Sequence, residues 1–261
     1  MLAHGDTAAG ALPTPAQPGL CAEELAFFLD IDGTLLEIAP TPESVVVDEE
    51  LLQLIRALTL RSHGAVAFVS GRSIATLDEL FEPLIMPAAG LHGFERRRGD
   101  GAYRRQPLPP GERLGCARSA LQRLVMRHAE LILEDKRFAL ALHYRAAPHL
   151  ESLVLHEVAA LAADLAPTFE LQRGRFVAEL RPAAANKAQA IAEFMSEAPF
   201  AGRRPLCLGD DLTDECAFEW VNGAGGLSFA VGVTRESCAT AHVRSVRAAR
   251  LWLHRLIELS P

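Results

Sequence analysis

Several common classes of protein are argued against by what this sequence lacks. It has no basic excess: 33 acidic residues stand against 26 basic ones, the formal net charge is −7, and no strongly basic segment stands out. The electrostatic footprint of a nucleic-acid binder is therefore missing, and a small-molecule partner is expected. No apolar run approaches the ~18 residues needed to span a bilayer, so no membrane helix is expected. The first twenty residues, MLAHGDTAAGALPTPAQPGL, have neither a basic start nor a continuous apolar stretch. They make a poor signal peptide and read as a flexible tail. Cysteine is sparse and forms no C-x-x-C pair: Cys21, Cys116, Cys207, Cys216 and Cys238 are scattered through segments that look like ordinary core or helix. An odd, unpaired set points to a reducing cytosol, so a cytoplasmic location is expected. None of this fixes an oligomeric state, and a monomer is the default expectation.

What is present is ample material for packed cores. The 261 residues are 49% hydrophobic, enough for one large or two smaller domains. Three short runs, LAFFL before Asp30, AVAFV before Ser70 and PLCL before Gly209, are apolar on consecutive residues and end abruptly in small or polar ones. That is the pattern of buried parallel strands. Between the first two lies a helix from about Asp48 to Ser62, with acids at its positive end and Leu51, Leu54, Ile55 and Leu58 on one face. A further helix follows Asn186, which can cap it, with Ile191, Ala192 and Met195 inward; another follows Leu212 and stops near Asn222 and Gly223. LSFAV is a fourth strand and SVRAARLWLHRLIEL a closing amphipathic helix. Alternating strands and helices predict an α/β fold, a doubly wound parallel sheet.

The middle follows another rhythm. GERLGCARSALQRLVMRHAE has helical spacing and is followed by LILEDKRFALALHYR, which alternates like a strand pair turning near residues 135–137. PHLESLVLHEVAALAADLA and TFELQRGRFVAELRP repeat that order, the second hairpin turning at Arg173 and Gly174. Two helix-plus-hairpin units make an α+β insert between sheet strands. The expected division is a tail at 1–22, core at 23–107, an α+β cap domain at 108–183 and core again at 184–261.

Ligands of open parallel sheets bind beyond the carboxyl ends of the strands. Asp30 and Asp32, then Ser70, Gly71 and Arg72, then Asp210, Asp211 and Asp214 should therefore converge. Asp30 and Asp32, one residue apart on an extended backbone, can face one substrate. Gly33 permits a turn with positive φ and leaves room for a phosphate oxygen to reach main-chain N–H groups. An EF-hand reading of D-x-D fails, since its fifth and sixth positions hold Thr34 and Leu35, where an acid or amide and then Gly are wanted. Converging carboxylates repel unless a cation joins them, and hard oxygen ligands suit Mg²⁺, with Asp30 and Asp210 the expected pair. Lys187, at a helix N-terminus that disfavours cations, makes sense if an anion sits in front of it.

In that order, DIDGTL, SGR, the lysine after the insert and GDDLTDE resemble the four motifs of haloacid dehalogenase-like phosphohydrolases. With LDIDGTL, VSGR, GLHGFERR (Gly90 to Arg97), EDK (Glu134 to Lys136) and ELRP (Glu179 to Pro182), the chain from about residue 24 to 259 resembles the trehalose-6-phosphate phosphatase family. The resemblance implies a Rossmann-like core with a cap, and phosphate release from trehalose 6-phosphate. It makes Asp30 the nucleophile and Asp32 the general acid and base. It makes Asp30, the Asp32 carbonyl and Asp210 the Mg²⁺ ligands, with Asp211 and Asp214 nearby, and Ser70 and Lys187 the phosphate-holding groups. Glu134, Lys136 and Glu179 fall where cap residues bind sugar hydroxyls, and Arg72, His92 and Asn186 are further expected contacts. His143 and Arg145 are open between the site and a solvated sheet face. One departure is Asn186–Lys187–Ala188, where the family pattern has N-K-G. A phosphatase or phosphomutase for another sugar phosphate, or a catalytically silent sugar-phosphate-binding domain, are the competing readings.

Overall fold

The computed structural model describes residues 20–39, 44–107, 111–174 and 176–259. The expected tail at 1–22 lies almost wholly outside the described residues, as do the first three residues of the expected cap. The core begins with β1 (Leu25–Leu29), α1 (Glu49–Arg61), β2 (Val66–Val69), α2 (Ile74–Phe81), β3 (Ala88–Gly90), β4 (Glu95–Arg97) and β5 (Tyr103–Arg105). The insert follows as α3 (Gly111–Arg127), β6 (Ile132–Asp135), β7 (Leu140–His143), α4 (Glu151–Asp164), β8 (Phe169–Gly174) and β9 (Val177–Pro182). The chain returns through α5 (Lys187–Met195), β10 (Arg204–Gly209), α6 (Glu215–Gly223), β11 (Leu227–Val231), β12 (Ala241–Val243) and α7 (Val246–Leu259).

The core strands form one sheet in the order β12-β11-β10-β1-β2-β3-β4-β5. From β12 to β3 all pairings are parallel, and the chain winds outward from β1 in one direction and from β10 in the other. The switch point lies between β1 and β10, where an open α/β sheet leaves a crevice. The doubly wound expectation holds, with one addition: β4 and β5 extend the sheet antiparallel.

Why β1 reads as an unbroken apolar run is visible in its two faces. Leu25, Phe27 and Leu29 pack with α1, α2 and α7, while Ala26 and Phe28 pack with α5 and α6. Phe28 completes a triangle of rings with Phe194 and Phe200, its centroid 6.1 and 5.6 Å from theirs. A strand buried on both sides has no polar face to alternate.

The insert builds its own four-stranded antiparallel sheet, β6-β7-β9-β8. Here the faces differ. Leu140, Leu142, Ala178, Leu180 and Phe169 pack with Leu114, Leu121 and Leu124 of α3 and Val154 and Val158 of α4. In register across the strands, Glu134 stands beside Ala141 and Ala141 beside Glu179, so both acids fall on the opposite face. The second hairpin turns a little later than expected, since β8 runs through Gly174 and β9 begins at Val177. In α5 the buried stripe is Lys187, Ala190, Ile191 and Phe194, while the expected Ala192 and Met195 are only half-buried. The stripe starts from Lys187 because that side chain points inward.

Candidate active site

The carboxyl ends of β1, β2 and β10 deliver Asp30, Ser70 and Asp210 to one cavity of about 190 Å³, closed from the other side by Glu134, Lys136, His143, Arg145 and Glu179 of the insert. Asp30 N–H still donates to the Leu208 carbonyl at 3.0 Å, so the first carboxylate is anchored by the sheet itself. After it the backbone turns, with Thr34, Leu35 and Leu36 N–H groups all on the Ile31 carbonyl. Gly33 has φ 82°, and a Cβ there would lie 2.0 Å from Asp210 Oδ2. The space expected for a phosphate oxygen is filled by the Asp210 carboxylate, and the Gly33 N–H donates to the Leu36 carbonyl at 2.7 Å. Gly33 thus serves the site by letting two loops touch.

Lys187 Nζ donates to Asp30 Oδ1 at 2.9 Å and to Asp214 Oδ1 at 2.7 Å, and all three residues are buried. Burial would lower the lysine, but the Asp214 and Asp30 charges outweigh it and hold the ammonium above its ordinary range. Asp214 is fully used: its Oδ2 accepts from the N–H groups of Asp210 and Asp211 at 3.1 Å each. Asp211 Oδ1 accepts from Leu212 N–H at 2.7 Å, closing a capping box with Asp214. Asp214 is therefore a scaffold for the loop and for Lys187, and Asp211 stands at the cavity rim.

Asp30, Asp210 and Asp214 offer oxygens that lie within 4.8 Å of one another. Burial pushes Asp30 up to about 7, with Asp214 and Asp32 adding to it and Lys187 opposing. Burial and the Asp30 charge push Asp210 up to about 9. One ammonium does not neutralise this set, and a hard dication would. The oxygen-only donors and the cradle at Gly33 fit the expected divalent cation, with Asp30 and Asp210 as the side chains left to hold it.

Ser70 is buried, and its Oγ accepts from Arg72 N–H at 3.1 Å, which leaves its hydroxyl proton to point elsewhere. Arg72 reaches Asp32, with Nε to Oδ2 and Nη2 to Oδ1 both at 2.7 Å. Behind it, buried Glu95 accepts from Ile74 N–H at 2.6 Å. His92 takes φ 57°, and its ring packs where a Cβ on Gly71 would lie, 2.8 Å from Cε1 and Nε2. Its Nε2 meets Glu179 Oε2 at 3.2 Å. Lys136 Nζ bridges insert and core, bonding both Glu179 oxygens at 3.2 Å and the Gly71 carbonyl at 3.0 Å. Burial would raise Glu179, but Lys136 and His92 hold it well below the usual carboxylate range.

His143 and Arg145, left open by the sequence, both line the cavity, and His143 Nε2 meets Glu134 Oε2 at 2.9 Å. Gly33, Asp214 and Asn186 do not line it. Asn186, expected as a substrate contact, is the exposed N-cap of α5, its Oδ1 accepting from Gln189 N–H at 3.2 Å. It serves the site by starting the helix on which Lys187 stands. Missed by sequence reasoning were Ile38, Ala39, Val45, Val177 and Thr213 on the wall, and Glu95 behind it. Of these Glu95 and Thr213 carried a signal, as members of LHGFE and GDDLTDE.

The strand order, with an acid pair at the switch point and an inserted sheet above it, is the haloacid dehalogenase-like fold. Solved structures agree on the fold: the C-terminal domain of Candida albicans trehalose-6-phosphate phosphatase has a TM-score of 0.84 at 22% identity, covering 97% of this chain and all of that one. A trehalose-6-phosphate phosphatase related protein has a TM-score of 0.71 at 28% identity, covering 90% of this chain and 97% of that one. Within that fold class, the chain belongs to the trehalose-phosphatase family, whose model matches residues 28–250. The trehalose-6-phosphate phosphatase of Escherichia coli K12 is 42% identical over 239 residues, 90% of this chain and 88% of the relative. A probable trehalose-phosphate phosphatase of Sinorhizobium fredii is 44% identical over 210 residues, 79% of this chain and 77% of the relative. Among the described residues no helix is long and apolar enough to cross a membrane.

Proposed function

We propose that this protein is a Mg²⁺-dependent phosphatase that converts trehalose 6-phosphate to trehalose and phosphate through a phosphoaspartate on Asp30, acting in the cytoplasm with segment 108–183 as its cap. The observation that carries this reading is the meeting of buried Asp30 with Lys187 and Asp210 at the sheet switch point, beneath a polar sheet face of the insert.

Lys187 occupies Asp30 Oδ1, so Oδ2 is the oxygen left to attack phosphorus. A carboxylate needs no base to do so. As that bond forms, the P–O bond to the sugar breaks with its electron pair on the sugar oxygen, and Asp32 supplies the proton. Asp32 then takes a proton from the water that cleaves the acyl phosphate. Lys187 and the Ser70 hydroxyl hold phosphoryl oxygens in line, the alignment and charge neutralisation on which phosphoryl transfer depends. Asp30 and Asp210 would hold Mg²⁺, which when bound supplies countercharge for the phosphoryl group and for both acids. Glu134, Lys136 and Glu179 would read sugar hydroxyls, and with His92 they exclude water from a cavity closed by the cap.

Phosphate release from a sugar-phosphate panel with Mg²⁺ tests the reading. Trehalose 6-phosphate should be the preferred substrate, chelation of the metal should abolish turnover, and Asp30→Asn should lose all measurable activity while melting like the wild type. Equal rates on glucose 6-phosphate would overturn the substrate, and an active Asp30→Asn variant would overturn the nucleophile.

A further inference from the structure

Asp32 stands beyond the end of β1, and its side chain is 36% exposed, so neither sheet pairing nor burial fixes its carboxyl plane. Arg72 does. Its two bonds, both 2.7 Å, are the parallel pair that a planar guanidinium makes with a carboxylate, and such a fork sets orientation as well as distance. The arginine is itself 8% exposed, its backbone is held at two points, and the turn after it at a third. Its N–H is on Ser70 Oγ at 3.1 Å, its carbonyl accepts Leu91 N–H at 2.9 Å, and Glu95 fixes the next turn through Ile74 N–H. A Cβ on Gly90 would meet the Arg72 carbonyl at 2.9 Å and Glu95 Oε1 at 2.8 Å, so this support is packed tight.

The structure assigns Arg72, on the phosphatase reading above, as the positioning residue for Asp32: it fixes the ionised carboxylate through both oxygens, and through one when the other carries the proton that passes to the departing alcohol and is regained from water in the second step. Asp30 forms the bond to phosphorus, the P–O bond breaks toward the alcohol oxygen, and that oxygen receives the Asp32 proton. In the second step water gives its oxygen to phosphorus and a proton to Asp32, and Asp30 leaves. Arg72 makes and breaks no covalent bond. It shortens the search of a carboxyl that must aim at one atom.

The test uses phosphate esters without a sugar ring, so that hydroxyl contacts play no part: p-nitrophenyl, phenyl and ethyl phosphate, whose leaving groups need a proton increasingly. kcat and KM are measured for wild type, Arg72→Ala, Arg72→Lys, Asp32→Asn and the Arg72→Ala/Asp32→Asn double variant, with melting curves for each. The loss in kcat on Arg72→Ala should grow along the series, reaching about tenfold more for ethyl than for p-nitrophenyl phosphate, within the range that general acid catalysis contributes. Arg72→Lys, with no fork, should fall between, and Arg72→Ala should cost little more once Asp32 is Asn. A loss that is equal across the series, or that adds fully to that of Asp32→Asn, would overturn the assignment and make Arg72 a direct phosphate or substrate contact. Failure of the wild type to release phosphate from these esters and from trehalose 6-phosphate alike would overturn the phosphatase reading itself.

Discussion

His92 is 6% exposed, with Glu179 on one ring nitrogen and the ammonium groups of Lys136 and Lys187 close enough to act on it. Burial lowers it to about 4, more than the Glu179 charge can offset, so it is neutral in the folded protein at neutral pH. The unfolded chain takes up that proton near pH ~6.5. Because the folded value is depressed, the unfolded state binds more protons at this site between about pH 6.5 and 4, and the His92 contribution to stability falls as pH drops through that window, by on the order of 1–3 kcal/mol, against the opposite contribution of Asp30 and Asp210, whose folded values are raised. Urea denaturation at pH 7.5 and pH 5 measures it. His92→Asn, which tolerates the positive φ of this position, should be less stable at pH 7.5 but lose less on going to pH 5. Parallel losses in the two proteins would assign the acid sensitivity to other groups.

At the scale of elements, α5 joins local sequence to the site. Asn186 caps the helix whose first residue is Lys187, so the cap, the positive helix end and the ammonium arrive together. Asn186→Ala should cost about 1 kcal/mol in thermal denaturation and lower kcat, whereas Asn186→Asp should keep most of both. Equal activity in Asn186→Ala would mean that Asp30 and Asp214 alone hold Lys187 in place. This helix also marks how far the sequence could be read. LAFFL, LSFAV, the Asp48-capped helix and the two helix-plus-hairpin units were legible because burial on both faces, 3.6-residue spacing or strict alternation extends over five or more residues. Strands β3, β4, β5 and β12 have three residues each, too few for any period, and their place is set by neighbours already in the sheet. The site was legible where an acid or lysine ends an element. The strand ends showed that Arg72 and Asp32 meet, though not that they pair, and the site was not legible where partners lie apart on other elements, as with Glu95 on Ile74, or where a loop glycine makes room for a side chain 177 residues on, as Gly33 does for Asp210. There the chain order carries no distance information, and only the packed sheet brings the groups together.

At the scale of the molecule, two sheets face each other across one cavity, and beside the His92–Glu179 and Arg145–Ala39 hydrogen bonds and the Phe94–Phe138 contact, two further points where insert meets core bear on closure. One is Lys136, bonded to the Gly71 carbonyl. The other is the tip of the β8–β9 hairpin, where a Cβ on Gly174 would lie 3.0 Å from Asp211 Oδ2 and 2.7 Å from Val177 Cγ1. The absence of a side chain at Gly174 is what allows the hairpin to settle against the loop that carries Asp210 and Asp211. Strand geometry there would accept a β-branched residue, and Gly174 itself, unlike Phe176 beyond it, packs in none of the apolar clusters, so Gly174→Val should leave the melting temperature nearly unchanged. It should instead hold the cap away from the Asp211 loop and admit water beside the nucleophile. The expected result is a fall in kcat/KM for trehalose 6-phosphate of about tenfold, with a smaller fall for p-nitrophenyl phosphate, which does not need the cap to read it. Adding Val177→Ala to Gly174→Val separates the two clashes: activity that stays low places the fault at Asp211 and supports closure onto that loop. Activity restored to that of Val177→Ala alone would place it inside the hairpin, and closure at this point would then make no demand on Gly174.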